Sequence, residues 1–355
     1  MTNYLNKSTI YLGKYQGRDW GVIMEKQVRM ADIAERLGIS IVSVSKALSG
    51  KEGVSAEVRQ QVLDLAKEMN YTPLRVRTPK EKKEIVSGNI GILVADRFFA
   101  DNAFYSNLYR QIQKRCDVKG FSALLEIVSW EAECQCVMPA VIRRKKVDGI
   151  IFMGEMKRDY VKKVMECGLP HMLLDFYDDE LNADSVTSDN MTGSYLLTKH
   201  LIQLGKRKIG FVGSRHATSS IMDRFLGYTK AMVLENLKVE EKWILEDRDE
   251  MGSYITLQLP EELPEAFLCS CDEVAFQLVE QLKKKGFRIP EDVAVVGYDD
   301  YYMAQLCEPP LTTYQVNMEG MGSTVANQMI YRITGKHMVH GNLVVKGNMV
   351  RRQST

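Results

Sequence analysis

Val42, Ser45 and Lys46 sit in one short segment, LGISIVSVSKALSG (37–50), and their types and spacing suit a groove lined with methyl groups and phosphates. At roughly 100° per residue, a helix brings Val42 and Lys46 within about 40° of each other, with Ser45 beside them and Ile41 at the border. Val44, Ala47 and Leu48 then occupy the opposite side. An outward Val can meet a thymine methyl, while Lys and Ser can hydrogen-bond a base edge or a phosphate. The plain alternative is a small helical cluster packed on another domain, with Val42 buried.

Three short helices are needed to present such a face. Ile33, Ala34 and Leu37 recur at helical spacing, and Gly38 follows as a left-handed stop. Ser40 is placed to cap a second helix that begins at Ile41, and Ser55 a third whose inner stripe is Val58, Val62, Leu65, Ala66 and Met69. Two helices joined through Gly38-Ile39 make a helix-turn-helix, whose second member is the one that enters a major groove.

Composition limits the partners. The chain has 355 residues, 45% hydrophobic and 26% charged, with a net charge of +1. It is long enough for two or three domains, and it lacks a global field that would recruit nucleic acid or membrane. Any such attraction must be local. Asn70–Lys83 (NYTPLRVRTPKEKK) supplies it, with Arg75, Arg77, Lys80, Lys82 and Lys83 against Glu81 alone. The alternative there is a solvated linker.

Seven cysteines without a disulfide-scaffold spacing, and without a signal peptide ahead of them, read as cytoplasmic thiols. The pairs Cys134/Cys136 and Cys269/Cys271 are spaced too closely for the usual zinc ligand set, so no metal and no cofactor is expected. Apolar runs such as NIGILVA are too short to span a bilayer. There is no phosphate loop, nucleophile elbow or H-E-x-x-H motif, and the five histidines lie in no catalytic pattern, which argues against an enzyme.

From Asn89 onward short apolar runs alternate with helical segments: NIGILVA, a helix from about 107 to 119, FSALLEIV, DGIIFMG, HMLLDF, KIGFVG, AFLCS and VAVVGYDD. Such runs are parallel strands buried on both faces, and their order implies a doubly wound α/β architecture with ligands beyond the strands' carboxyl ends.

The stretch VRMADIAERLGISIVSVSKALSG, with VSAEVRQQVLDLAKEMNYTP after it, resembles the headpiece of the LacI/GalR (lactose repressor/galactose repressor) family of bacterial transcription regulators. Further landmarks in order are IGILVAD, NAFY, VDGII, SDNMTG, HLIQLGKRKIGFVG, RFLGY, CDEVA, IPEDVAVVGYDD and PPLTT, so the resemblance runs over nearly the whole chain. It implies an all-α headpiece on a periplasmic-binding-protein-like core of two doubly wound subdomains joined by three crossings.

The expected domains are an arm over 1–24, the headpiece over 25–73, a basic hinge over 74–88 and the core over 89–355. Within the core, one subdomain takes about 89–186 and 318–340, the other about 187–317 and 341–355. Residues 1–23 show no periodicity, and Met24 is a candidate translation start.

The resemblance also assigns residues. DNA contact falls on Ser40, Ile41, Val42, Ser43, Ser45 and Lys46, with Arg75, Arg77 and Lys80 on phosphates. Lys46 stands where the family has arginine and cannot make the same planar fork to guanine. Lys80 stands where the hinge helix of the family carries its minor-groove wedge, and Pro79 interrupts that helix, so a smaller operator bend is expected.

Effector contacts fall on Asp175, Arg224, Asp272 and Asp299, with Phe104 or Tyr105 stacking on a sugar or base. Carboxylates and a guanidinium suit a polyhydroxylated ligand, although each Asp also suits a plain helix cap. Cys271 and Val316 replace polar family positions and make the pocket less polar.

The implied function is a transcription regulator, acting as a repressor, that binds pseudo-palindromic double-stranded operator DNA as a homodimer under control of a small effector, most simply a sugar or sugar derivative. No heptad tail suggests a tetramer. The alternatives are a cytosolic sugar-binding protein or an enzyme of the same fold; the headpiece separates the first reading from both.

Overall fold

The computed structural model describes residues 14–15, 18–19, 28, 30–50, 52–69, 71, 87–99, 103–336 and 340–355. It divides into two compact units, 1–84 and 85–355.

In the first unit, α1 (Met30–Leu37), α2 (Ile41–Leu48) and α3 (Ala56–Glu68) enclose a small core of Ile33, Ala34, Val44, Ala47, Val62 and Ala66. α1 ends because Gly38 turns left-handed, with φ +65°, which lets the Ile39 N–H reach the Ala34 carbonyl at 3.1 Å. Ser40 Oγ then accepts the Ser43 N–H at 3.1 Å, and Ser55 Oγ accepts the Val58 N–H at 3.3 Å, starting the next two helices. The third stripe is narrower than expected: Val62 and Ala66 are buried, whereas Val58, Leu65 and Met69 are half-covered at the edge of this small cluster. In the stretch 1–24, Lys14–Tyr15 pairs antiparallel with Arg18–Asp19; its other residues, and most of the hinge, lie outside the described residues.

The second unit carries two parallel sheets. The larger has six strands in the order Asn342–Val345, Ser185–Ser188, His171–Leu174, Gly149–Met153, Asn89–Ala95 and Ser122–Val128. The smaller runs Ala294–Val296, Ala266–Cys269, Ile209–Val212 and Ile244–Leu245. A two-strand antiparallel ladder, Thr313–Gln315 with Asn348–Val350, is tied to the edge of the smaller sheet by the parallel bridges Val296–Thr312 and Asp299–Gln315. Central strands such as Gly149–Met153 are buried at every residue, which is why they read as continuous apolar runs.

The core is already anchored at Ser87, whose N–H and hydroxyl donate to Asp148, as does the Gly88 N–H at 2.7 Å. The subdomain crossings fall later than 187 and 341. Ser185–Ser188 and Asn342–Val345 pair with each other inside the larger sheet, so the chain leaves it after Ser188 and again after Val345. Helix Met318–Ile333 packs on Ala103–Val118 and belongs with the larger sheet.

Candidate functional site

The outer face of α2 is available to a groove. Ile41 is 51% exposed and Val42 63%, the signature of apolar side chains that their own fold does not cover. Ser45 is exposed beside them. Lys46 is half-buried, because its stem lies along the turn at Gly53, where an added Cβ would stand 3.1 Å from Nζ. Ser40 and Ser43 hydroxyls lie 2.9 Å apart, so both are partly engaged in capping α2. Arg75, Arg77 and Lys80, with Pro79, lie outside the described residues.

The second site is a cavity of about 380 Å³ between the two sheets. Phe98, Phe104, Tyr105 and Asp175 line it from the larger sheet's side, and Ile221, Arg224, Arg248, Tyr254, Cys271 and Asp299 from the other.

Asp175 follows the strand His171–Leu174 and is held at φ +68°, its N–H donating to the Val186 carbonyl at 2.8 Å. Its Oδ2 accepts the Tyr105 hydroxyl at 2.9 Å, and burial pushes its carboxyl up to about 6 against the field of Arg224. Asp299 sits after the strand Ala294–Val296 at φ +109°, a conformation that side chains rarely adopt, and burial pushes it up to about 7. Oδ1 of Asp175 and Oδ1 of Asp299 are buried with no hydrogen-bond partner among the described residues.

Arg224, on the helix Ser219–Leu234, is fixed on three sides. Nε donates to Asn190 Oδ1 at 2.9 Å, Nη1 donates to the Ser270 carbonyl, and Nη2 lies 3.4 Å from Asp299 Oδ1. Arg97 is held by Glu133, a wholly buried carboxylate that also accepts the Lys157 N–H.

Asp272 is elsewhere. It does not line the cavity; Oδ1 accepts the Thr313 hydroxyl at 2.6 Å and Oδ2 the Tyr301 N–H at 2.8 Å. Its carboxyl is raised well above the usual range by burial, and its geometry is that of a structural anchor at the start of helix Asp272–Lys284. Val316 is buried and is likewise not a lining residue. Sequence reasoning did not single out Arg248 and Tyr254. They follow Ile244–Leu245, a two-residue strand too short for any periodicity, although the rule that ligands lie beyond strand ends would have found them had that strand been visible. Cys271 noted as a departure does face the cavity, 3.6 Å from the Tyr254 hydroxyl.

An exposed apolar recognition face joined to an α/β core with a carboxylate-lined cleft is matched by two family models. Residues 29–73 match that of bacterial regulatory proteins of the lacI family, and 198–355 match that of a periplasmic binding protein-like domain. The chain thus resembles bacterial regulatory proteins of the lacI family in its headpiece and a periplasmic binding protein-like domain in its C-terminal part.

It is 28% identical over 329 residues to the ribose operon repressor of Haemophilus influenzae, which covers 92% of this chain and 98% of that one. It is 29% identical over 331 residues to the transcriptional regulator RegA of Clostridium saccharobutylicum, covering 91% and 98%. A solved LacI-family regulator from Enterococcus faecium with bound ribose superposes with TM-score 0.65 at 27% identity, covering 75% of this chain and 98% of that one. The lac repressor dimer bound to operator shares the fold, with TM-score 0.63 at 23% identity, over 93% and 99%. The chain is a DNA-binding transcription regulator and not an enzyme. Among the described residues, no helix is long and apolar enough to cross a membrane.

Proposed function

We propose that the protein is a cytoplasmic repressor that binds a pseudo-palindromic operator as a homodimer, and that a small polyhydroxylated ligand in the cleft sets its operator affinity. The observation that carries the ligand class is the pair of buried carboxylate oxygens at one cavity, Asp175 Oδ1 and Asp299 Oδ1, neither of which accepts a hydrogen bond among the described residues, the second having only the Arg224 guanidinium at 3.4 Å. Buried acceptors without donors are costly, and ligand hydroxyls supply donors in the needed direction. The ribose operon repressor among its relatives and the ribose bound by its structural neighbour support a sugar or sugar derivative.

On this reading Ile41, Val42 and Ser45 of each protomer read one half-site and Lys46 holds a phosphate beside it, while Ser40 and Ser43 position the start of α2. Arg75, Arg77 and Lys80 add sequence-independent attraction to phosphates. Asp175 and Tyr105 belong to one side of the cleft, Arg224 and Asp299 to the other, so a ligand that touches all four favours the closed arrangement. Three links already bridge the two sides at the mouth: Ser219 N–H donates to Glu155 at 2.7 Å, the Tyr177 N–H to Ser219 Oγ at 3.4 Å, and the Tyr177 hydroxyl to Asp223 at 2.9 Å. Coupling of closure to headpiece spacing then changes operator affinity.

The test is a gel-retardation titration of the protein's own promoter fragment, repeated across a panel of sugars. The proposal expects specific retardation at low salt, shifted by at least one sugar. Failure to retard any fragment contradicts the DNA role; retardation that no hydroxylated compound changes contradicts the effector role.

A further inference from the structure

The charged groups of the cleft pair off unevenly. Arg97 is gripped by Glu133 at 2.5 and 3.1 Å, Arg224 lies 3.4 Å from Asp299, and Arg248 lies 3.4 Å from Asp247. Each of these guanidinium groups thus has a carboxylate of its own. Asp175 has no such cation: its hydrogen-bonding partner among the described residues is the Tyr105 hydroxyl on Oδ2, while Oδ1 is buried without a donor. The residue is only 5% exposed and lines the cavity.

Its neighbours are aromatic. The Tyr105 ring lies 5.4 Å from Phe98 and 5.1 Å from Phe104, and all three rings border the same cavity. Aromatic rings and a carboxylate with no ion-pair partner of its own are the two attractions that hold an ammonium group out of water. A neutral hydroxyl would satisfy Oδ1 but leave the charge in place, and an anionic ligand would be repelled by it. Burial raises the carboxyl of Asp175 only to about 6, so it is largely ionised at neutral pH.

We propose that the effector is a hydroxylated amine, such as an amino sugar, whose ammonium group lies between Asp175 and the Phe104 and Tyr105 rings, the Phe98 ring already carrying Arg97 at 4.8 Å from its centroid. This rests on the reading of the cleft as a polyol site and narrows it. The hydroxyls of the ligand meet Asp299 and Arg224, and Arg248 keeps its pairing with Asp247.

The test is isothermal titration of the full chain near neutral pH with D-glucosamine, D-galactosamine and D-mannosamine, each beside its N-acetyl form and its parent hexose. The amine is expected to bind roughly tenfold or more tightly than both uncharged counterparts on at least one ring. Asp175→Asn keeps the size and an acceptor for Tyr105, and it is expected to reduce the ratio of amine to neutral affinity to about one on the same ring, a ratio from which any general loss of affinity cancels; its unliganded melting curve checks folding. An uncharged counterpart that binds as tightly as its amine on every ring overturns the inference, as does a preference that survives Asp175→Asn. Both results leave the polyol reading of the cleft in place. Failure of every member, charged and neutral, removes that reading and this inference together.

Discussion

The guanidinium of Arg224 lies 3.9 Å from the centroid of the Tyr298 ring. The stack fixes the guanidinium plane, Asn190 and the Ser270 carbonyl hold two of its nitrogens, and the remaining edge faces Asp299 and the cavity. A lysine can carry the charge there but not the fork or the stack. Arg224→Lys is therefore expected to weaken effector binding by roughly 10- to 100-fold, the equivalent of about 1.4–3 kcal/mol. Operator affinity in the absence of effector should stay within about twofold, and titration calorimetry with parallel anisotropy on operator DNA checks both.

Asp175 gives a pH-dependent stability prediction. Its folded carboxyl titrates at about 6, above an unfolded value near 4. The folded state therefore holds a proton that the unfolded state has released, and stability is lost as pH rises through that interval. Asp175→Asn does not suffer the loss. Its advantage over the wild type should be absent at about pH 4, grow to about pH 6 and level off above it, at on the order of 1–3 kcal/mol. Paired melting curves across that range measure it; an advantage that shrinks with rising pH would contradict the assignment.

Lys46 tests the phosphate or base contact of α2. Removing one lysine that touches a phosphate lowers the salt slope of DNA binding by about 1 per headpiece, with little change in sequence preference. Lys46→Ala is expected to do this if its stem leaves the Gly53 turn on binding. A changed base preference with an unchanged slope would instead place Lys46 on a base edge. Anisotropy at four or more salt concentrations distinguishes the two.

Gly38 tests the turn between α1 and α2. Its φ is +65°, and an added Cβ would meet nothing within 4 Å, so backbone strain is the cost of a side chain there. Gly38→Ala should lower headpiece stability by about 1–2 kcal/mol without altering the α2 surface. Thermal unfolding followed by helical circular dichroism reads the loss.

The headpiece was legible because its signals are local: Gly38 stops a helix, Ser40 and Ser55 start two others, and apolar spacing does the rest. The long buried strands were legible for a similar reason, since a strand covered on both faces is apolar throughout. Ser185–Ser188 escaped notice because it buries hydroxyls and not hydrocarbon, the Ser185 hydroxyl pairing with Asn342 at 2.8 Å. That partner lies 157 residues away, which no window along the chain can reveal. Asp272 and Asp299 both follow strands and look alike in sequence. Their roles diverge because Thr313 and the Tyr301 backbone take up the oxygens of one, leaving the other facing the cleft.

In-vitro selection of bound sequences from random duplex DNA, run in parallel with the wild type and Val42→Asn, addresses α2 most directly. The account predicts a two-fold-symmetric motif for the wild type and, for the variant, a changed preferred base at one position in each half-site. Enrichment of no motif, or of the same motif by both proteins, would contradict it.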